Sequence, residues 1–273
     1  DDLITMLSYM DEHLLEVLLE HEKTADLTAI ERFASILRPG DTVVTFNYDR
    51  LVERCLTKLG VPWSFGMDDD EPGSIRILKM HGSLDWICFA RNERRERKAV
   101  RRLFTKKDVN RERDGQAQTE RSGEDEYDFE LFQIRDDEGL RGWIEQRALI
   151  QHDHRWDLAG LGPQKRVSLV PGLGVVWEHA RQALYRADQI VVVGFSFSPF
   201  DRLAQIEFAR VAGGRDENGA TSPRVTVIDP ALISDGGQVP AWGVGLIQRI
   251  EAVFRPVTPV GAFHENFDWG TLA

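Results

Sequence analysis

The sequence lacks the features that mark membrane, secreted and nucleic-acid-binding proteins. It has no run of about 18 apolar residues, the length that predicts a transmembrane helix. Its only two cysteines, Cys55 and Cys88, are too few for a disulfide framework or a four-cysteine zinc site. The net charge of −11 argues against non-specific nucleic-acid binding. We therefore expect a cytoplasmic protein with no membrane segment and no direct nucleic-acid partner.

Three well-known sequence motifs are missing as well. Residues 1–22 lack the basic region and the cleavage site of a secretory signal peptide. No GxxxxGK[ST] occurs, which excludes a P-loop within this chain. Gly194-Phe-Ser-Phe-Ser198 departs from G-x-S-x-G, which excludes the nucleophile elbow of hydrolases. The chain does not begin with Met, and we expect residues upstream of Asp1.

Short apolar strands alternate with helical segments along most of the chain. We predict strands at 41–47, 75–80, 167–171, 189–194 and 224–230, with a last strand within 246–254. Helices are predicted at 3–22, 28–37, 49–59, 173–187 and 200–211. The run Ile190-Val-Val-Val193 is typical of a parallel strand that is buried on both faces. The alternation predicts an α/β fold around a central parallel sheet.

Residues 90–165 interrupt this alternation. The stretch 91–113 carries eleven Lys and Arg against four Glu and Asp, and 114–138 is acidic. Neither stretch has the apolar period of a core element, although Trp143, Ile144, Leu149 and Ile150 predict one helix. We interpret 90–165 as a surface insertion or small subdomain within a single domain spanning 1–273. It is either a contact surface between subunits or a solvated loop.

Polar residues follow the carboxyl ends of four predicted strands. They are Asn47 with Asp49, His81, Gly194 with Ser196, and Asp229. In an α/β sheet the ligand crevice lies beyond the carboxyl ends of the strands, so these residues should share one edge. An amide such as Asn47 cannot be a base, but it can orient a water or a hydroxyl. His81 can exchange a proton near neutral pH.

Each of these residues also has a purely structural interpretation. Asp49 either caps the helix that it precedes or contacts a ligand. The segment from Gly194 to Ser196 is either a phosphate site at a helix start or a tight turn. Asp229 either holds ribose hydroxyls or opens a turn with Pro230. His152 and His154 lack further ligands nearby and predict no metal site.

The four motifs in order resemble the SIR2-like family of prokaryotic proteins, which are distant relatives of the sirtuins. They are TFNYD at 45–49, KMHGS at 79–83, VVGFS at 192–196 with Asp201 downstream, and VTVIDP at 225–230. The resemblance covers about 41–89 and 167–231. It implies a Rossmann-like parallel sheet flanked by helices that binds NAD. Many bacterial members cleave NAD to nicotinamide and ADP-ribose, often as effectors in anti-phage defence.

The resemblance also implies roles for individual residues. Asn47 and His81 correspond to the catalytic pair. The positions that correspond to NAD contacts are Thr45, Phe46, Asp49, Gly194, Phe195, Ser196 and Asp229. NAD is then the substrate, no metal takes part, and the expected partners are further copies of the chain and a defence protein.

Two departures from the family pattern bear on the activity. The paired CxxC motifs of the sirtuin zinc module are missing, and 90–165 lies where that module would be. This favours NAD hydrolysis over protein deacylation. The Gly-rich G-A-G-x-S segment that cradles the diphosphate does not occur within 1–40. It either lies upstream or is lost, and a module that binds NAD or ADP-ribose without cleaving it stays as the alternative.

Overall fold

The computed structural model describes residues 16–65, 73–90, 129–133, 155–156, 173–195, 201–217, 222–233, 238–262 and 267–272. Several predictions fall outside these residues. They are the first part of the helix at 3–22, the helix near 143–150, the strand at 167–171, His152, His154 and Ser196.

The N-terminal part of the chain forms a three-stranded parallel sheet with three helices. In chain order the elements are α1 (residues 16–24), α2 (Thr28–Ile36), β1 (Thr42–Thr45), α3 (Leu51–Lys58), β2 (Trp63–Phe65) and β3 (Ile75–Lys79). The strand order is β1–β3–β2, and both pairs are parallel. This confirms the predicted strands at 41–47 and 75–80 and the helices at 28–37 and 49–59.

A small antiparallel sheet follows at the start of the insertion. It consists of β4 (Trp86–Ala90), β5 (Phe129–Gln133) and β6 (Arg155–Trp156), in the order β5–β4–β6. Two segments of 90–165 therefore pair with β4, which the sequence did not predict. The strands pair through backbone groups that are far apart in the chain. Pairing of this kind leaves no apolar period in the local sequence of a highly charged segment.

The C-terminal part forms a second three-stranded parallel sheet. Its elements are α4 (Leu173–Arg186), β7 (Gln189–Val193), α5 (Arg202–Glu217), β8 (Arg224–Ile228), α6 (Ala241–Glu251) and β9 (Val257–Val260), with strand order β7–β8–β9. The predicted parallel pairing of β7 is confirmed. Its burial is not continuous, because Ile190 and Val192 are buried while Val193 is exposed.

The prediction of a last strand within 246–254 is wrong. Most of that range belongs to helix α6, and the strand β9 comes later. The buried residues Gly243, Leu246 and Ile250 are spaced by three and four positions, which is a helical period rather than a strand period. Pro259 lies within β9, which has the terminal place in the described strand order, where a missing N–H is tolerated.

One apolar core joins the two parallel sheets. It includes Leu56 and Ile77 from the first unit, and Trp177, Val192 and Val227 from the second. Helix α4 contacts β3 directly, which brings the carboxyl end of β3 against the C-terminal unit. None of the helices in the described ranges is long and apolar enough to span a membrane. The predicted α/β class with parallel strands is confirmed, but in the described residues the strands form two three-stranded parallel sheets rather than the one central sheet that was predicted.

Candidate functional site

The two predicted catalytic residues follow the carboxyl ends of the adjacent strands β1 and β3. In this parallel pair Thr45 lies opposite Lys79, and the N–H of Met80 donates to the carbonyl of Thr45 at 2.9 Å. Asn47 comes two residues after the end of β1, and His81 comes two residues after the end of β3. Asn47 is exposed, whereas His81 is only 4% exposed.

A carboxylate from the C-terminal unit faces the buried His81. Its ring nitrogen Nε2 lies 3.5 Å from Oδ1 of Asp201, which directly precedes α5. Asp201 keeps 19% of its side chain exposed, so this pair lies at the boundary between core and solvent. A carboxylate beside an imidazole nitrogen favours a proton on that nitrogen and fixes the orientation of the ring. The sequence marked Asp201 only as part of a motif and did not pair it with His81.

Aromatic rings connect the ends of β1 and β7. Phe46 stacks on Phe195 with ring centroids 4.2 Å apart and planes inclined by 7°. The edge of His81 meets Phe46 at 5.1 Å, and Tyr48 lies 5.9 Å away from the imidazole. Offset or edge-on aromatic contacts of this kind stabilise by about 0.5–1.5 kcal/mol each beyond their burial. Two residues predicted to contact NAD, Phe46 and Phe195, therefore form one wall with His81.

The turn that carries His81 is held by hydrogen bonds from two directions. The indole Nε1 of Trp177 in α4 donates to the carbonyl of Met80 at 3.0 Å. The N–H of Leu84 donates to the carbonyl of Tyr48 at 3.0 Å, which joins the loops that follow β1 and β3. Gly82 turns the chain at a φ of 87°, a conformation that favours glycine.

A buried ion pair lies beneath these two loops. The ammonium of Lys79 is 3.0 Å from Oε1 of Glu53 in α3, and both side chains are almost wholly buried. Burial raises the pKa of Glu53, the charge of Lys79 opposes that rise, and the nearby Asp85 adds to it. The only sequence signal for this pair was a lysine within an otherwise apolar strand end, Ile-Leu-Lys-Met.

A second buried ion pair fixes the start of α3. The guanidinium of Arg50 binds the carboxylate of Glu22, with Nη2 to Oε2 at 2.6 Å, and the backbone N–H of Arg50 donates to the same carboxylate. The guanidinium of Arg54 donates to the carbonyl of Glu22 at 2.6 Å. The helix α1 is thereby tied to the residues that follow Asn47.

Three predicted ligand contacts have local structural bonds in the described structure. Oδ1 of Asp49 accepts from the N–H of Leu51 at 3.2 Å. Oδ1 of Asp229 accepts from the N–H of Ala231 at 2.7 Å and caps the short turn that follows β8. The hydroxyl of Thr45 accepts from the N–H of Asn47 at 3.1 Å. The bonds of Asp49 and Asp229 match the cap and turn interpretations of those two residues, although the residue that directly precedes α3 is Arg50. Contact with a ligand stays a prediction for all three residues.

Gly194 directly follows β7 and has a backbone conformation that favours glycine. Its φ is 61°, in the left-handed region, and its N–H donates to the carbonyl of Ile228 at 3.1 Å. The structure therefore brings Phe46, His81, Phe195 and Asp201 into contact. Asn47 directly follows Phe46 in the chain, and Gly194 directly precedes Phe195. Asp229 lies at the end of the neighbouring strand β8.

Within the described ranges no cluster of three or more His, Cys, Asp or Glu side chains is arranged to bind a metal ion. Comparison of the chain with models of protein families and with curated proteins finds no match.

Proposed function

We propose that this protein is a SIR2-like NAD hydrolase, with a Rossmann-like arrangement of its parallel strands. The supporting observation is that Asn47 and His81 each follow the carboxyl end of one of two adjacent parallel strands. These are the two positions that the motif resemblance assigns to catalysis. A polar pair at such an edge, walled by aromatic rings, suits a ligand that carries sugar hydroxyls and flat bases.

The proposed reaction breaks the bond between C1′ of the ribose and the nicotinamide nitrogen. Nicotinamide leaves with the bonding electron pair and becomes neutral, so a strong general acid is not required. The ribose carbon gains positive charge as the bond lengthens, as in glycoside hydrolysis. A water oxygen then bonds to C1′ and loses a proton, which gives ADP-ribose, nicotinamide and one proton from NAD and water.

The two site residues have complementary tasks in this scheme. The exposed carboxamide of Asn47 both donates and accepts hydrogen bonds, so it can hold the water or a ribose hydroxyl in place. The imidazole of His81 takes up the proton, from the water or from a hydroxyl that relays it. Asp201 orients that ring and stabilises the imidazolium that forms.

Nicotinamide release by the purified full-length protein tests the proposal. We expect Asn47→Ala and His81→Ala to lower turnover by about 10²–10⁴-fold, the usual contribution of a positioned acid–base group. His179→Ala, which changes a partly exposed histidine of α4, is the matched control and should keep wild-type turnover. Wild-type turnover in either site variant would show that the mechanism is wrong.

Two further measurements separate this activity from its alternatives. Calorimetric binding of ADP-ribose by a wild-type protein that releases no nicotinamide would identify a binding module instead. Consumption of an acyl-lysine peptide together with NAD would identify a deacylase. If hydrolysis is observed, loss of cellular NAD on expression is the expected outcome for a defence effector, and oligomeric state is measured on the same preparation by light scattering.

A further inference from the structure

Lys79 is the most deeply buried charged group next to the proposed site. Its side chain is 0% exposed, at the carboxyl end of β3 and two residues before His81. An isolated ammonium in such a place would be strongly unfavourable, so its partners decide what it does. A buried lysine requires an acceptor for each of its three donors.

Three acceptors surround the ammonium, and two of them belong to the loop that follows Asn47. The Nζ atom donates to the carbonyl of Tyr48 at 3.3 Å and to the carbonyl of Asp49. The third neighbour is the carboxylate of Glu53 in the first turn of α3, which pairs with the ammonium by charge at 3.0 Å without hydrogen-bond geometry. Two partly buried carbonyls of the loop after β1 therefore accept hydrogen bonds from a side chain of β3.

The carbonyl of Tyr48 also links the loops after β1 and β3. It accepts from the ammonium of Lys79 on one side and from the N–H of Leu84 on the other. Tyr48 directly follows Asn47, and Leu84 comes three residues after His81. Movement of this carbonyl would change the spacing between the two proposed catalytic side chains.

Stability alone gives little reason to keep this ion pair. Replacing a buried pair by apolar residues of similar volume is often neutral or stabilising, because both charges lose their water. Apolar side chains could fill the space between α3 and β3, but they could not satisfy the carbonyls of Tyr48 and Asp49. The pair therefore provides something specific to the loop.

We propose that Lys79 is a positioning residue: its ammonium holds the backbone that directly follows Asn47 and so fixes where the carboxamide lies relative to the turn that carries His81. Glu53 supplies the countercharge that lets the lysine remain buried. The kinetic consequence rests on the proposed NAD hydrolysis, whereas the order of the loop does not.

Hydrogen–deuterium exchange of the full-length protein tests the loop directly. The variants are Lys79→Met, which leaves Glu53 buried beside an apolar chain, and Lys79→Met with Glu53→Leu, which removes both charges. We expect the double variant to recover most of the stability that the single variant loses. Backbone amides of residues 47–52 should nevertheless exchange at least about 10-fold faster than in the wild type in both.

Turnover is measured on the same proteins. Because a displaced carboxamide impairs the reaction more than binding, we expect kcat for nicotinamide release to fall at least about 10-fold in the double variant, with KM changed much less. Lys58→Met removes an exposed lysine of α3 and should alter neither exchange in 47–52 nor turnover.

The outcomes separate the two proposals. A folded double variant with wild-type exchange in 47–52 overturns the role of Lys79. A double variant that does not fold overturns it too, because the lysine would then support the fold rather than the loop. If the wild type releases no nicotinamide, the proposed function fails, while the exchange rates still decide the role of Lys79.

Discussion

His81 and Asp201 lie 120 positions apart in the chain, yet Nε2 of one is 3.5 Å from Oδ1 of the other. The contact joins the turn after β3 to the start of α5. It pairs the buried proposed base with a carboxylate that still reaches solvent. Asn47 and His81, the two proposed catalytic residues, both come from the N-terminal unit. The contact with Asp201 therefore adds a residue of the C-terminal unit to the candidate site.

We expect Asp201→Asn to lower turnover by about 10–100-fold without unfolding the protein. The amide keeps the shape of the side chain but removes the charge that stabilises an imidazolium. Nicotinamide release checks this, and Asp188→Asn in the exposed segment before β7 should keep wild-type turnover. Wild-type turnover in Asp201→Asn would remove Asp201 from the mechanism.

Trp177→Phe should cost about 1–3 kcal/mol of unfolding free energy, because the carbonyl of Met80 loses a buried donor. Since Met80 directly precedes His81, turnover should fall as well. Trp63→Phe is the matched control, because its indole N–H binds the hydroxyl of Thr57 at an exposed position. Urea unfolding should show a clearly smaller loss for Trp63→Phe. Equal losses of unfolding free energy in the two variants would mean that the buried hydrogen bond from Trp177 to Met80 stabilises the protein no more than the exposed bond of Trp63.

Glu22→Gln should destabilise the protein by about 3–5 kcal/mol, the usual effect of removing one partner from a buried ion pair. The side chain of Arg50, which is 8% exposed, would then lack the charged carboxylate of Glu22. Glu20→Gln changes an exposed pair with Lys23 on the same helix and should have little effect. Thermal unfolding of the three proteins checks this, and comparable melting temperatures would contradict it.

Glu53 should make the stability of the wild type depend on pH in a defined direction. Its pKa is raised in the folded state, chiefly by burial, so the folded protein binds this proton more tightly than the unfolded chain. Its contribution is therefore fully present below the usual value of 4.5 and is lost as pH rises through the folded pKa. The unfolding free energy of the wild type minus that of Glu53→Gln should fall as pH rises from 4 upward, with a slope of at most about 1.4 kcal/mol per pH unit. A difference that is flat or rises with pH would contradict the assignment.

Local patterns predicted the elements whose apolar residues have a clear period. The strands β1, β3, β7 and β8 and the helices α2, α3 and α4 follow directly from such runs. The range 246–254 was misassigned because a short apolar run looks alike in a strand and a helix until its spacing is counted. Strands β5 and β6 left no such period, since their pairing depends on a distant partner.

The candidate site divides in the same way. Asn47, His81 and Gly194 were predictable because a polar residue or glycine directly after a buried strand must lie at the sheet edge. Asp201 and Glu53 were not, because each reaches its partner only through helix packing. The local hydrogen bonds of Asp49 and Asp229 show that a residue directly after a strand can match a motif while its side chain stabilises the local turn.

The sequence by itself determined the strands and helices that have a clear apolar period and the polar residues that follow those strands, since both depend on neighbours within a few positions. Only the tertiary structure decided which of those residues meet and what lies beneath them. Packing between distant segments pairs His81 with Asp201. It also lets Lys79 donate to the carbonyl of Tyr48 in the loop after Asn47. Burial makes these contacts strong constraints, because a charge removed from water is unfavourable unless it has a partner.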